Sequence, residues 1–179
     1  LWYRFISSSE KMPKDHPLVG ALADREISPG LKVLINSQDL LNLNNSIVKS
    51  PVEWFVSVCK ALKLTPSKLE SFTKLNNYLD KMAQIPFSPP NVGGWPTDEA
   101  WLSPASAQFR IAFATWLVKQ ADLSDIGSVT PEKRISYLAD LLAVPEWTPR
   151  TSSALYDVRA NLPRLVTLAI CTPEYVVSQ

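Results

Sequence analysis

Ser50-Pro51-Val52-Glu53-Trp54-Phe55-Val56-Ser57-Val58-Cys59-Lys60-Ala61-Leu62 is the stretch whose reading decides the fold. Its first four residues are a helix-start signature. The Ser50 hydroxyl can accept from an orphan amide of the first turn, and Pro51 fills the first helical position, where no donor is needed. Glu53 can reach back to the Ser50 amide, completing a capping box. Behind them Trp54, Phe55, Val58, Cys59 and Leu62 recur at helical spacing and fall on one face. The stretch predicts an amphipathic helix with a defined beginning.

The same grammar repeats outward. Thr65-Pro66, Ser103-Pro104, Thr130-Pro131 and Thr172-Pro173 each stand immediately before an apolar-periodic segment. They read as helix starts and not as proline-directed phosphorylation sites. The stripe after Pro66 is Leu69, Phe72, Leu75, Leu79 and Met82. After Pro104 it is Phe109, Ala112, Phe113, Trp116 and Leu117, with Arg110 and Lys119 outside it. After Pro131 it is Ile135, Leu138, Ala139 and Leu142, closed by Pro145. The tail offers Leu155 and Val158, then Leu162, Leu165, Val166, Leu168 and Ala169, with Pro163 separating two helices. Upstream, residues 17–26 and 29–36 read as shorter helices. Period-2 alternation is missing throughout. The expectation is all-α: an irregular multi-helix bundle of about seven to nine helices, forming a single domain over residues 1–179.

One segment breaks the pattern. Pro86-Phe87-Ser88-Pro89-Pro90-Asn91-Val92-Gly93-Gly94-Trp95-Pro96, followed by Trp101-Leu102, interrupts two helical segments. Prolines fix φ, and the Gly93-Gly94 pair opens positive φ, so this is a loop of specified shape. At least one of the two glycines is expected at φ > 0. Trp95 and Trp101 must either plug the core or face a ligand such as a sugar or peptide. The structural alternative places Trp95 largely inside.

Composition narrows the function classes. The chain has 179 residues, 46% of them hydrophobic and 20% charged, with a net charge of +1. That is enough for a well-filled core, and the balance gives no electrostatic reason to invoke nucleic acid. No apolar stretch is long enough to span a bilayer. Leu1-Trp2-Tyr3-Arg4-Phe5-Ile6 reads as a helix interior without a start, so the chain is expected to be a C-terminal fragment of a longer protein. The lack of a leader then carries no information about export.

Candidates for chemistry are few. The one histidine, His16, precedes Pro17 in a polar stretch and reads as a solvent-facing or cap-adjacent residue. No HExxH or CxxC spacing suggests a metal, and no cofactor motif is present; Gly93-Gly94 lacks the spacing of a phosphate loop. Cys59 and Cys171 lie in apolar helical segments and read as buried free thiols. Asp98-Glu99 fits the first turn of a short helix after Thr97. Asp122 and Asp125 form a second carboxylate pair. Asn44-Asn45-Ser46 matches a glycosylation sequon too short to carry weight.

Several of these residues together resemble a known family. Lys49-Ser50-Pro51-Val52-Glu53-Trp54, the Pro89-Pro90-Asn91-Val92-Gly93-Gly94-Trp95-Pro96 loop, Trp101-Leu102, Arg110 with Phe113-Ala114, and Thr172-Pro173-Glu174-Tyr175 are similar, in order, to the C-terminal part of the bacterial family called domain of unknown function 1800. Residues 39–47 depart from it. The resemblance implies a helical bacterial protein, often exported and frequently encoded beside a second uncharacterised exported protein. It implies no activity. Ser50, Glu53, Pro90, Gly93, Gly94 and Arg110 carry the motif.

Three functions are compatible with these residues. One is a structural or interaction module that docks onto the N-terminal remainder of its own protein or onto a partner such as the co-encoded exported protein. A second is a carbohydrate- or peptide-binding module using Asn91, Trp95 and Trp101. The third is an accessory part of an enzyme, lending residues such as Asp98, Glu99 or Arg110.

Overall fold

The computed structural model describes residues 1–7, 10–23, 26–42 and 46–178. Among these residues the chain is helical almost throughout, with eleven α-helices and four 3-10 turns. Three of the helices, Trp2–Phe5 (α1), Ser124–Gly127 (α7) and Pro173–Val176 (α11), are single turns of 4 residues. Setting those aside leaves eight, within the number the periodicity predicts. Asn44 and Asn45 of the sequon lie outside the described residues.

The chain forms two compact units, one made of residues 1–48 with 177–179 and the other of residues 49–176. The first contains α1, Pro17–Ala21 (α2) and Ile27–Ile35 (α3). Its core is Trp2, Ile6, Leu18 and Leu34, flanked by Leu1, Met12, Leu22 and Val33. Gly30 on α3 is closely approached by leucine side-chain ends, which would have to shift to admit a Cβ. A Cβ there would stand 2.7 Å from Leu22 Cδ2 and 3.0 Å from Leu1 Cδ1. His16 caps α2: its Nδ1 accepts from the Leu18 amide at 3.1 Å, so Nε2 carries the proton and donates to Asp39 Oδ2 at 3.0 Å. The cap-adjacent reading of His16 holds. The solvent-facing one does not, because the ring is covered and edges onto Trp2 at 5.1 Å.

This unit also holds a feature the periodicity did not anticipate, a two-residue antiparallel ladder. Ile47–Val48 (β1) pairs with Val177–Ser178 (β2) in the register Ile47↔Ser178 and Val48↔Val177. Two residues are too short to display alternation.

The second unit begins at Pro51–Ala61 (α4), where both halves of the capping box are made. Ser50 Oγ accepts from the Glu53 amide at 3.4 Å, and Glu53 Oε2 accepts from the Ser50 amide at 3.0 Å. Phe72–Lys81 (α5), Pro104–Val118 (α6), Arg134–Leu142 (α8), Pro149–Asp157 (α9) and Leu162–Ala169 (α10) follow. Phe113 of α6 is the hub. Trp54, Phe55, Tyr78 and Trp116 all place their ring centroids within 5.9 Å of its own.

Several local readings are corrected. Thr65-Pro66 opens only the 3-10 turn Pro66–Lys68, and α5 starts later at a Ser71 cap, so Phe72 falls on the first helical position and is exposed. Thr130-Pro131 likewise opens a 3-10 turn before α8. Pro163 does separate two helices, at the start of α10 behind an Asn161 cap. The stripe of α6 is wider than the one expected. Phe113, Trp116 and Leu117 are buried as expected, together with Ser106, Arg110, Ala114 and Val118, while Phe109 is half-buried and Ala112 is exposed. Arg110, expected outside, is 4% exposed.

Candidate functional site

The loop between α5 and α6 is built from two tight turns, and each presents an apolar side chain to solvent. The first is Ile85-Pro86-Phe87-Ser88, closed by the Ser88 amide donating to the Ile85 carbonyl at 3.1 Å. Pro86 sets the backbone at the second position. Phe87 occupies the third with φ +63°, a conformation that favours glycine or asparagine. Its ring is 99% exposed. The second turn is Asn91-Val92-Gly93-Gly94. Asn91 Oδ1 accepts from the Gly93 amide at 2.8 Å, and its carbonyl accepts from the Gly94 amide at 3.1 Å. Val92 at its tip is wholly exposed. Gly94 takes φ +92°, the positive value expected of the pair. Every residue from Pro86 to Gly93 is exposed.

The tryptophans behave differently from the tips. Trp101, in the 3-10 turn Asp98–Leu102, is 3% exposed and belongs to the interior, so it offers no face to a ligand in this arrangement. Trp95 is half-buried, and its Nε1 is enclosed with no acceptor. That is less burial than the structural reading expected. Asn91 is exposed, but its side-chain oxygen is committed to the turn. Pro90 is exposed between the two turns. The side chains most available for contact are therefore Phe87 and Val92. Sequence reading passed over both because a Pro/Gly loop directs attention to its tryptophans. The signal that could have found Phe87 is a bulky residue after proline, where a two-residue turn needs positive φ.

The first and last motif elements of the larger unit hold each other in place. Trp54 Nε1 donates to the Ile170 carbonyl at 2.7 Å, and the Lys49 amide donates to the Val176 carbonyl at 2.9 Å. Lys49 Nζ donates to the Tyr175 carbonyl and lies 4.3 Å from that ring's centre. The Lys-Ser-Pro-Val-Glu-Trp element thus clamps the Thr-Pro-Glu-Tyr element, more than a hundred residues away. Glu174 serves α9 as well as its own helix. Its Oε1 accepts from the Thr148 amide at 3.0 Å. Burial pushes its carboxyl pKa up, but bonds from Thr148 and Thr151 outweigh that and hold it below the ordinary value.

A polar groove of about 500 Å³ lies elsewhere on this unit, lined by Leu62, Lys63, Lys68, Gln120, Asp122 and Asp125. Lys63 Nζ donates to Asp125 Oδ2 at 2.7 Å, which raises the lysine pKa. The Ser124 amide lowers that of Asp122. Both groups are moved away from neutrality, the wrong direction for proton transfer at pH 7. Burial pushes the Cys59 thiol up to about 11 and the Cys171 thiol up to about 12, so both are protonated and free of any disulfide. Asp98 and Glu99 sit in the 3-10 turn, where Thr97 makes no side-chain cap bond. Among the described residues no group of three His, Cys, Asp or Glu could hold a metal ion, and no helix is long and apolar enough to cross a membrane.

Fold and loop together define a class: an all-α protein carrying a shaped Pro/Gly/Trp loop between two helices of its larger unit. The family model described as "Protein of unknown function (DUF1800)" matches residues 1–177, and the chain belongs to that family. No curated protein and no solved structure matches the chain.

Proposed function

We propose that this chain is a protein-interaction module whose docking element is the double turn at residues 86–93. One observation carries the reading. Phe87 holds a fully exposed aromatic ring on a backbone conformation that costs about 1–2 kcal/mol for a residue with a Cβ. Glycine would take that conformation without strain. A ring that a partner buries repays the strain only in the complex, as an aromatic anchor does at an interface. Pro89 and Pro90 reduce the freedom the loop must give up on binding. The partner proposed is another part of the same polypeptide or an exported protein encoded beside it, in keeping with the family resemblance. The saccharide-stacking alternative asked for two exposed tryptophan faces and receives no support from Trp101.

The test places a photo-crosslinking phenylalanine analogue at position 87, and at the exposed Lys133 as control, in the protein made in its own cells. The expected result is a discrete polypeptide adduct at 87 that Val92→Asp abolishes. Identical adduct patterns at 87 and 133 would overturn the proposal.

A further inference from the structure

The core face of α6 carries two polar side chains with buried atoms that make no hydrogen bond. Arg110 is 4% exposed and Ser106 is 5% exposed. They stand four residues apart and so lie on one face of the helix, one turn from each other. The Ser106 hydroxyl and the Arg110 Nε and Nη2 atoms are buried with no hydrogen-bond partner. Nε and Nη2 form one edge of the guanidinium, with N–H bonds that run parallel and match the two oxygens of a carboxylate.

The surroundings do not neutralise this charge. The Trp54 ring centre lies 5.8 Å from the guanidinium carbon and offers a π-face, but no acceptor in the plane of the fork. The group that favours the charge is Cys171, whose own thiol is protonated. Arg134 shows how this fold treats an arginine it uses structurally. There Nε, Nη1 and Nη2 each donate to a backbone carbonyl, of Val129, Arg159 and Gly127, at 2.8 to 3.3 Å. Arg110 makes none of these bonds, and a buried cation without a partner is strongly unfavourable.

We infer that Arg110 and Ser106 form a binding site for a small carboxylate, held side-on by Nε and Nη2 and completed by the Ser106 hydroxyl. The site is independent of the docking loop: its donors come from the core face of one helix, and it requires no macromolecule.

Formate is the probe, because it is the smallest planar carboxylate. The thermal unfolding midpoint is followed as formate replaces chloride at constant ionic strength. At a tenfold excess over its dissociation constant, formate should raise the midpoint by about 3–6 °C, and the rise should saturate. Arg110→Met keeps an unbranched apolar stem, removes the fork and should abolish the rise. Ser106→Ala should weaken formate binding severalfold. Should Arg110→Met fail to fold, the wild-type titration and Ser106→Ala decide. A rise linear in salt, no rise, or an undiminished saturable rise in any folded Arg110→Met protein overturns the site.

Discussion

Phe87 and three helix-ending residues share one property: a side chain held at positive φ. Lys63, Ala83 and Ala143 take φ values of 54°, 61° and 52°, each just past the end of α4, α5 and α8. The next amide closes the motif each time, from Leu64 to Cys59, from Gln84 to Leu79 and from Val144 to Ala139, at 2.8 to 2.9 Å. Glycine is the usual residue there. Ala143→Gly should therefore stabilise by about 0.5–1 kcal/mol, read as a higher midpoint in thermal unfolding. Phe87→Gly should do the same while removing the docking ring. A fall in its midpoint would mean that the ring packs against the protein, contrary to its exposure. The two loop tryptophans should separate on the same assay. Trp101→Ala should cost about 3–5 kcal/mol, as for a buried aromatic, and the half-buried Trp95→Ala distinctly less. The sequence could place these residues in a loop but could not assign their faces. Burial of a loop residue depends on which helix lies beneath it.

At the scale of elements, caps were the most legible feature. Ser50, Ser103 and Asn161 each accept from an amide three residues on, and all precede a proline in the first turn. Ser50→Ala should cost about 0.5–2 kcal/mol in denaturant unfolding, and Glu53→Gln much less, because the amide side chain still completes the box. Glu174 was not legible as a cap for α9, since that helix starts twenty-five residues upstream. Its carboxyl is held below the ordinary glutamate value. The stability it lends is complete above that ordinary value and is lost as the pH falls through its own lower one. Glu174→Gln should therefore flatten the acid limb of a plot of unfolding midpoint against pH. An unchanged acid limb would remove Glu174 from that role.

For the whole molecule, the far-UV circular dichroism spectrum should be that of a helical protein, with strand content far below the fifth or so typical of globular domains. Trp54→Phe should cost about 1–3 kcal/mol despite its similar shape, because it strands the Ile170 carbonyl inside the larger unit. What the sequence determined by itself was local: helix starts through Ser/Thr-Pro chemistry, helix faces through periodicity, and the shape of the loop through its prolines and glycines. These are set by neighbours within a turn or two, so a linear reading reaches them. The tertiary structure decided the rest: that Lys49 and Trp54 clamp residues 170–176, that α6 turns Arg110 inward, and that Phe87 and Val92, not the tryptophans, face water. Each depends on groups distant in the chain meeting in space, where packing outweighs the preference of a single side chain for water.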